Sequence, residues 1–168
     1  MKRDVQQAFL AAYDDYADAI FRHCYFRVFR KSRAEELTQE AFMKTWEYLA
    51  AGNQVLNIRA FLYRVANNLI IDESRKAKEA SLENILANDA SLEPADNAPL
   101  KMEQALANKE ILETLHALSA ADREIITLRY MDDLDPKEIA EILNISANAV
   151  SVRIHRALAE LKKLIPDS

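Results

Sequence analysis

A single glycine, Gly52, stands in a chain of 168 residues, where ordinary usage near 7% supplies about a dozen. Glycine reaches the left-handed backbone region without a steric penalty, so a chain this poor in it has few tight β-turns. It also has no glycine-rich loop in which backbone amides could cradle a phosphate. The architecture expected is all-helical. Half the residues are apolar, enough for real cores, yet no apolar run approaches the roughly 20 residues of a membrane span. The opening MKRDVQQAFLAAYDDYADAIF places acids where a secretory signal needs an unbroken apolar stretch. Cys24 is the only cysteine, which excludes an internal disulfide and suits a reducing compartment. A cytoplasmic protein is expected.

Helical periods of apolar residues divide the chain. Segments near 4–29, 33–50 and 57–79 come first, and segments near 101–117, 120–131, 135–143 and 147–165 follow. Ser32 with Glu35, and Ser119 with Asp122, have the spacing of capping boxes at helix starts. Between the groups, residues 80–100 (ASLENILANDASLEPADNAPL) lose the long period and gather Asn, Asp, Ser and two of the four prolines. Two small helical domains, 1–79 and 101–168, are therefore expected on either side of an acidic linker.

The C-terminal segment is the most specific. Asp135 and Pro136 have the chemistry of a helix cap and first turn, with Glu138 at the capping-box position. Asn144 tolerates the left-handed conformation that ends a helix, and Ser146 can cap the next one. Ile139, Ala140 and Leu143 give the first helix an apolar side; Val150, Ile154, Ala157, Leu158, Leu161 and Ile165 form one stripe along the second. Two short helices joined by such a turn are a helix–turn–helix, whose second helix enters the DNA major groove. The candidate reading face is Ser146, Asn148, Ser151, Val152, Arg153, His155 and Arg156, with Arg153 on its flank.

The net charge of −5 argues against nucleic acid only if charge is spread evenly. Residues 146–165 carry Arg153, Arg156, Lys162 and Lys163 against Glu160. Residues 54–80 carry Arg59, Arg64, Arg75, Lys76 and Lys78 against Asp72, Glu73 and Glu79. The stretch 81–104 holds Lys101 against Glu83, Asp89, Glu93, Asp96 and Glu103. Two basic helices flank an acidic spacer. Such modest local charge neutralises few phosphates, so unaided DNA binding should be weak and a partner is needed to hold the chain on DNA.

In the front half, Leu37, Ala41, Phe42, Thr45 and Leu49 make the inner side of the second helix. Glu36, Gln39, Glu40, Met43 and Glu47 line another face, which is either solvated or a docking surface for a basic helix, with Met43 and Trp46 as apolar anchors. The third helix is expected to bury Ile58, Phe61, Leu62, Val65 and Leu69. It would expose Arg59, Tyr63, Arg64, Asn67, Asn68, Arg75, Lys76 and Lys78, a mixture suited to unstacked bases and a phosphate track. The loop before it, with Gly52, Asn53 and Gln54 and ending at Asn57, lies beside that basic helix where a flipped base could be received.

The order of these parts resembles bacterial RNA polymerase sigma factors of the extracytoplasmic-function type across nearly the whole chain. The resemblance is carried by EELTQEAF at 35–42 with Trp46, by NIRAFLYRVANNL at 57–69 running into Asp72-x-x-Arg75, by LSAADREII at 118–126, and by the closing helix–turn–helix. It implies that Glu36, Gln39, Glu40, Phe42, Met43 and Trp46 dock on the coiled coil of the polymerase's largest subunit. It implies that the loop 51–56 and the helix from Asn57 to Lys78 capture and melt the −10 element, and that the helix–turn–helix reads the −35 element. It implies an anti-sigma factor among the partners, beside core RNA polymerase and promoter DNA, and it places the acidic linker near the RNA path as a nucleic-acid mimic.

Ser151 and Val152 depart from the basic and small polar residues usual for the family, so −35 specificity does not carry over; Val152 could touch a thymine methyl. No catalytic, cofactor or metal constellation is expected. His23 and Cys24 adjoin but do not share a helix face, and His116 and His155 lack metal-ligand spacing. The alternatives are an operator-binding helix–turn–helix regulator that is not a polymerase subunit, and a helical adaptor.

Overall fold

The structure, a computed structural model, describes residues 2–83 and 102–165, with side chains described for 2–76 and 109–165. The described residues contain helices and no strand, and the chain divides into two compact units, Met1–Glu93 and Pro94–Ser168. The residues 84–100 of the expected linker lie outside the described residues.

In the first unit α1 (Lys2–Val28) and α2 (Lys31–Ala50) pack on one another and on α3 (Ile58–Glu83). α3 thus continues through the first residues expected to belong to the linker. Small residues at the crossings, Ala12, Ala34, Ala41 and Ala66, let the helices approach around Ile20, Cys24, Leu37 and Leu62. Each large aliphatic side chain fully buried here contributes about 1.5–3 kcal/mol.

α1 ends in a left-handed residue that is not glycine. Phe29 has φ 62°, and its amide donates to Tyr25 O at 2.9 Å. The left-handed conformation costs a side-chain-bearing residue roughly 1–2 kcal/mol; burial of the phenyl ring offsets it. This sharp reversal puts Arg30 in extended backbone and starts α2 at Lys31, with Ala34 N donating to Arg30 O. Ser32 therefore sits inside the first turn, and the capping box expected from Ser32 and Glu35 does not form. α2 closes as expected at Gly52, φ 96°, whose amide donates to Leu49 O at 3.1 Å.

In the second unit α4 (Met102–Ala117) leads to α5 (Ala120–Ile126), which passes into a π-helical turn over Thr127–Met131. The segment expected as one regular helix, 120–131, is thus interrupted: Asp132 N donates to Thr127 O, five residues back, at 2.9 Å. Ser119 caps α5 by accepting from Asp122 N. Arg123 reaches back to the end of α4 and donates to Leu115 O, His116 O and Leu118 O at 2.8–3.0 Å. Burial lowers its pKa from the usual guanidinium value, and the three carbonyls supply the acceptors its desolvated charge requires.

α6 (Pro136–Leu143) and α7 (Ala147–Leu164) form the helix–turn–helix, and its junction chemistry is as expected. Asp135 accepts from Glu138 N at 2.9 Å, Asn144 is left-handed at φ 55°, ψ 48°, and Ser146 accepts from Ala149 N at 3.0 Å. The core differs in detail. Ile139 and Ile142 are the buried residues of α6, while Ala140 and Leu143 are half-buried; Val150 and Ala157 are the buried residues of α7, with Ile165 exposed beyond its end. Leu115, Ile125, Leu128 and Leu134 complete that core.

Candidate partner and nucleic-acid interfaces

On α2 the geometry separates the expected docking residues. Glu36, Gln39, Glu40, Met43 and Trp46 are exposed, but Phe42 is buried. Its ring packs edge-on against Tyr13 at 5.0 Å and Phe9 at 6.2 Å, because position 42 lies on the side of α2 turned toward α1. Glu36 is not a free charge either: Arg33 donates to it at 2.7 Å and also bonds Glu73 of α3. Burial opposes the charge on Arg33, yet the two carboxylates hold its pKa above the ordinary guanidinium value.

α3 is rotated from its expected orientation. Its buried stripe is Ala60, Leu62, Tyr63, Ala66, Asn67 and Ile70; Ile58, Phe61, Val65 and Leu69 are only half-buried. Tyr63 and Asn67, expected on the DNA face, are enclosed. The Tyr63 ring meets His23 of α1 at 5.4 Å and 86°, and Asn67 Oδ1 accepts from Arg27 Nη1 of α1 at 2.6 Å. Both polar residues are buried because α1 carries partners for them, which a hydrophobicity pattern scores as two polar side chains facing water. The Ala60, Tyr63, Ala66, Asn67 and Ile70 spacing is the signal that could have found this stripe.

What α3 turns outward is Arg64, Asn68, Ile71, Arg75 and Lys76, at positions that share one helix face. Arg59 is half-buried, its guanidinium 5.8 Å from the Tyr63 ring centroid. Arg75 and Lys76 lie 2.9 and 3.4 Å from the Asp72 carboxylate, and the bonds from Arg75 first, then Lys76, hold the Asp72 pKa below its ordinary value. Lys78 falls outside the residues with described side chains.

The loop before α3 is pinned at both ends. Gly52, Asn53 and Gln54 are exposed, but the Asn53 amide donates to Tyr48 O at 3.0 Å. Asn57 caps α3 by accepting from Ala60 N at 3.1 Å, so neither amide is free for a base. Between them Leu56 is 103% exposed. Neither Leu56 nor Ile71 was expected at this surface, since both read from the sequence as core.

On α7 the outward residues are Asn148, Ser151, Val152, His155 and Arg156. Ser146 is occupied in the cap. Arg153 is half-buried and turns toward α5, where it bonds Glu124 at 3.0 Å and Ala121 O at 3.3 Å; it is a structural residue rather than part of the reading face. The Ser151 hydroxyl donates to Ala147 O at 3.2 Å. Among the described residues no group of three or more His, Cys, Asp or Glu side chains is placed to hold a metal ion, and no helix is long and apolar enough to cross a membrane.

Family models for Sigma-70 region 2 and Sigma-70 region 4 match residues 12–80 and 108–161. The chain is 33% identical over 177 residues to the ECF RNA polymerase sigma factor SigW of Bacillus subtilis, covering 99% of this chain and 94% of that one. It is 30% identical over 153 residues to the ECF RNA polymerase sigma factor SigL of Mycobacterium tuberculosis, covering 90% and 85%. A 29% match to the ECF RNA polymerase sigma factor BldN of Streptomyces coelicolor takes in 95% of this chain but 61% of that relative's length. Among solved structures, the sigma factor RpoE in complex with the anti-sigma factor NepR from Bartonella quintana superposes with a TM-score of 0.74 at 21% identity, covering 94% of this chain and 96% of that one. CnrH in complex with the cytosolic domain of CnrY gives 0.68 at 24%, covering 95% and 88%. At those identities the two structures establish the fold.

Proposed function

The chain belongs to the ECF-type RNA polymerase sigma factors, and from that membership we propose how its surfaces share the work of promoter recognition. A sigma factor binds core RNA polymerase and directs initiation at specific promoters. In this reading the first unit docks on the polymerase through the exposed face of α2, with Gln39, Glu40, Met43 and Trp46 as contacts and Glu36 at the margin beside Arg33. The outward face of α3, with Arg64, Asn68, Ile71, Arg75 and Lys76, takes the non-template strand of the −10 element, and the loop 51–56 meets the displaced base. The second unit reads the −35 element through Asn148, Ser151, Val152, His155 and Arg156.

The observation that carries this reading is the helix–turn–helix itself. Three capped or left-handed junctions, at Asp135, Asn144 and Ser146, fix α6 against α7 and leave one polar, Arg-bearing face of α7 exposed. A rigid recognition helix with few cations gives sequence contacts without much non-specific affinity, which suits a subunit delivered to DNA by the polymerase. Sigma factors of this family are transcription initiation factors, and we assign this chain no reaction of its own, no cofactor and a place in the cytoplasm. We also propose an anti-sigma partner, since both structural neighbours were solved as sigma–inhibitor complexes or with a cytosolic partner domain.

Run-off transcription tests the proposal. Purified protein added to core polymerase on a sheared genomic library should give discrete 5′ ends that share upstream elements and vanish without the protein. Unaided, tight operator binding without such starts, using the native core enzyme, would favour the regulator that acts outside the polymerase.

A further inference from the structure

Four large apolar side chains are exposed along the α1–α2 seam, and only two of them lie on the helix already assigned to docking. Leu10 (53% exposed) and Tyr13 (47%) belong to α1; Met43 (61%) and Trp46 (36%) belong to α2. Leu10 and Tyr13 are one turn apart, as are Met43 and Trp46, so each pair occupies one helix face. Aromatic contacts join the pairs. Tyr13 packs on Phe42 with centroids 5.0 Å apart, and Phe9 lies 5.2 Å from Trp46 and 6.2 Å from Phe42. The exposed side chains therefore stand on a ring cluster anchored by buried Phe42, not on a mobile segment.

Exposed acids border this strip on both helices. Asp14 follows Leu10 by one turn on α1, and Glu40 and Glu47 lie one turn either side of Met43 on α2. Lys44 is the cation beside them, and Glu36 is already answered by Arg33. Met and aromatic residues with a polar rim are what protein interfaces concentrate at their centres. A single helix offers a partner only a convex stripe, whereas the seam between two packed helices offers a groove that accepts a ridge of side chains.

We infer that core polymerase docks on the α1–α2 seam as a whole, and that its occupant is a basic amphipathic helix of the polymerase that seats an apolar side chain between Leu10 and Met43. The acidic margin selects a basic helix, and the strip is continuous with the docking face assigned to α2; the inference rests on that assignment and extends it to α1.

Titration of the full-length protein against core RNA polymerase tests it. Leu10→Glu and Met43→Glu should each weaken binding by about tenfold or more, as expected for charges placed at an interface centre. The melting temperature should not move, because both side chains are exposed. Leu10→Ala, which adds no charge, keeps the test open if Leu10→Glu lowers stability, and it should weaken binding in combination with Met43→Ala by less than the product of the single effects. A photocrosslinker at position 10 should mark the polymerase's largest subunit. Unchanged affinity for Leu10→Glu and Leu10→Ala beside weakened Met43→Glu confines docking to α2 and overturns the inference. Unchanged affinity for Met43→Glu and for Gln39→Ala with Glu40→Ala as well removes the α2 assignment itself. A crosslink to another subunit overturns the occupant.

Discussion

The Arg153 guanidinium lies 3.0 Å from the Glu124 carboxylate, joining the recognition helix to α5 rather than facing outward. Glu124 is nearly enclosed, so truncating its partner leaves a desolvated carboxylate. Arg153→Ala should cost the second unit about 1–3 kcal/mol, the pair being partly exposed, and a thermal melt should register it. Arg156→Ala, three residues along and exposed, should leave the melt unchanged and weaken −35 binding. A base contact would cost about 1–3 kcal/mol on the preferred sequence alone, a phosphate contact a similar loss on every sequence.

Asn67 and Asn68 should separate in the same way within α3. Asn67→Ala removes the acceptor of a buried charged donor, Arg27, and should lower the stability of the first unit by about 1.5–3 kcal/mol. Asn68→Ala should change stability by no more than about 0.5 kcal/mol and reduce binding of single-stranded −10 DNA. Chemical denaturation and a fluorescence-polarisation titration read the two effects independently.

Asp72 should titrate below an ordinary carboxyl. Its folded pKa is depressed by Arg75 and Lys76, so its contribution to stability is present above the unfolded value near 3.9 and is lost as pH falls through the lower folded value. A carboxyl-carbon NMR titration should give a midpoint below that of a model peptide, and Arg75→Gln with Lys76→Gln should return it toward the peptide value. At neutral pH, Asp72→Asn should release both cations toward phosphate and steepen the salt dependence of single-strand binding.

Leu56→Ser should leave the melting temperature unchanged, since a side chain that is fully exposed buries nothing. The loop around it is held by the Asn53 and Asn57 bonds, which gives an apolar side chain a fixed place beside the −10 strand; such side chains stabilise unstacked base steps. Permanganate reactivity of promoter thymines should fall in the variant while core binding persists. Full reactivity would exclude Leu56 from melting.

Much of the fold is legible from local chemistry. Helix ends at Gly52, Ser119, Asp135, Asn144 and Ser146 depend on one or two residues and their neighbours, so the sequence states them directly. The errors share another cause. Phe42, Tyr63, Asn67 and Arg153 were assigned outward, yet each is held by a residue on another helix: Tyr13, His23, Arg27 and Glu124 respectively. Polarity along one helix cannot reveal a partner about thirty or forty residues away. Leu10, Leu56 and Ile71 failed in the opposite sense, as apolar residues that the packing leaves in water.

The π-helical turn at 127–131 carries one residue more than an α-helical turn would over the same hydrogen-bonded closure. Elsewhere in these helices, losing a residue rotates everything beyond it by about 100° and turns the core stripe toward solvent. Here the loss of one residue would convert the wide turn into a regular one and could leave the flanking segments close to their present register. The stretch just before the helix–turn–helix is therefore where this chain can change its length with the least disturbance, and where relatives one residue shorter or longer would keep the same reading head.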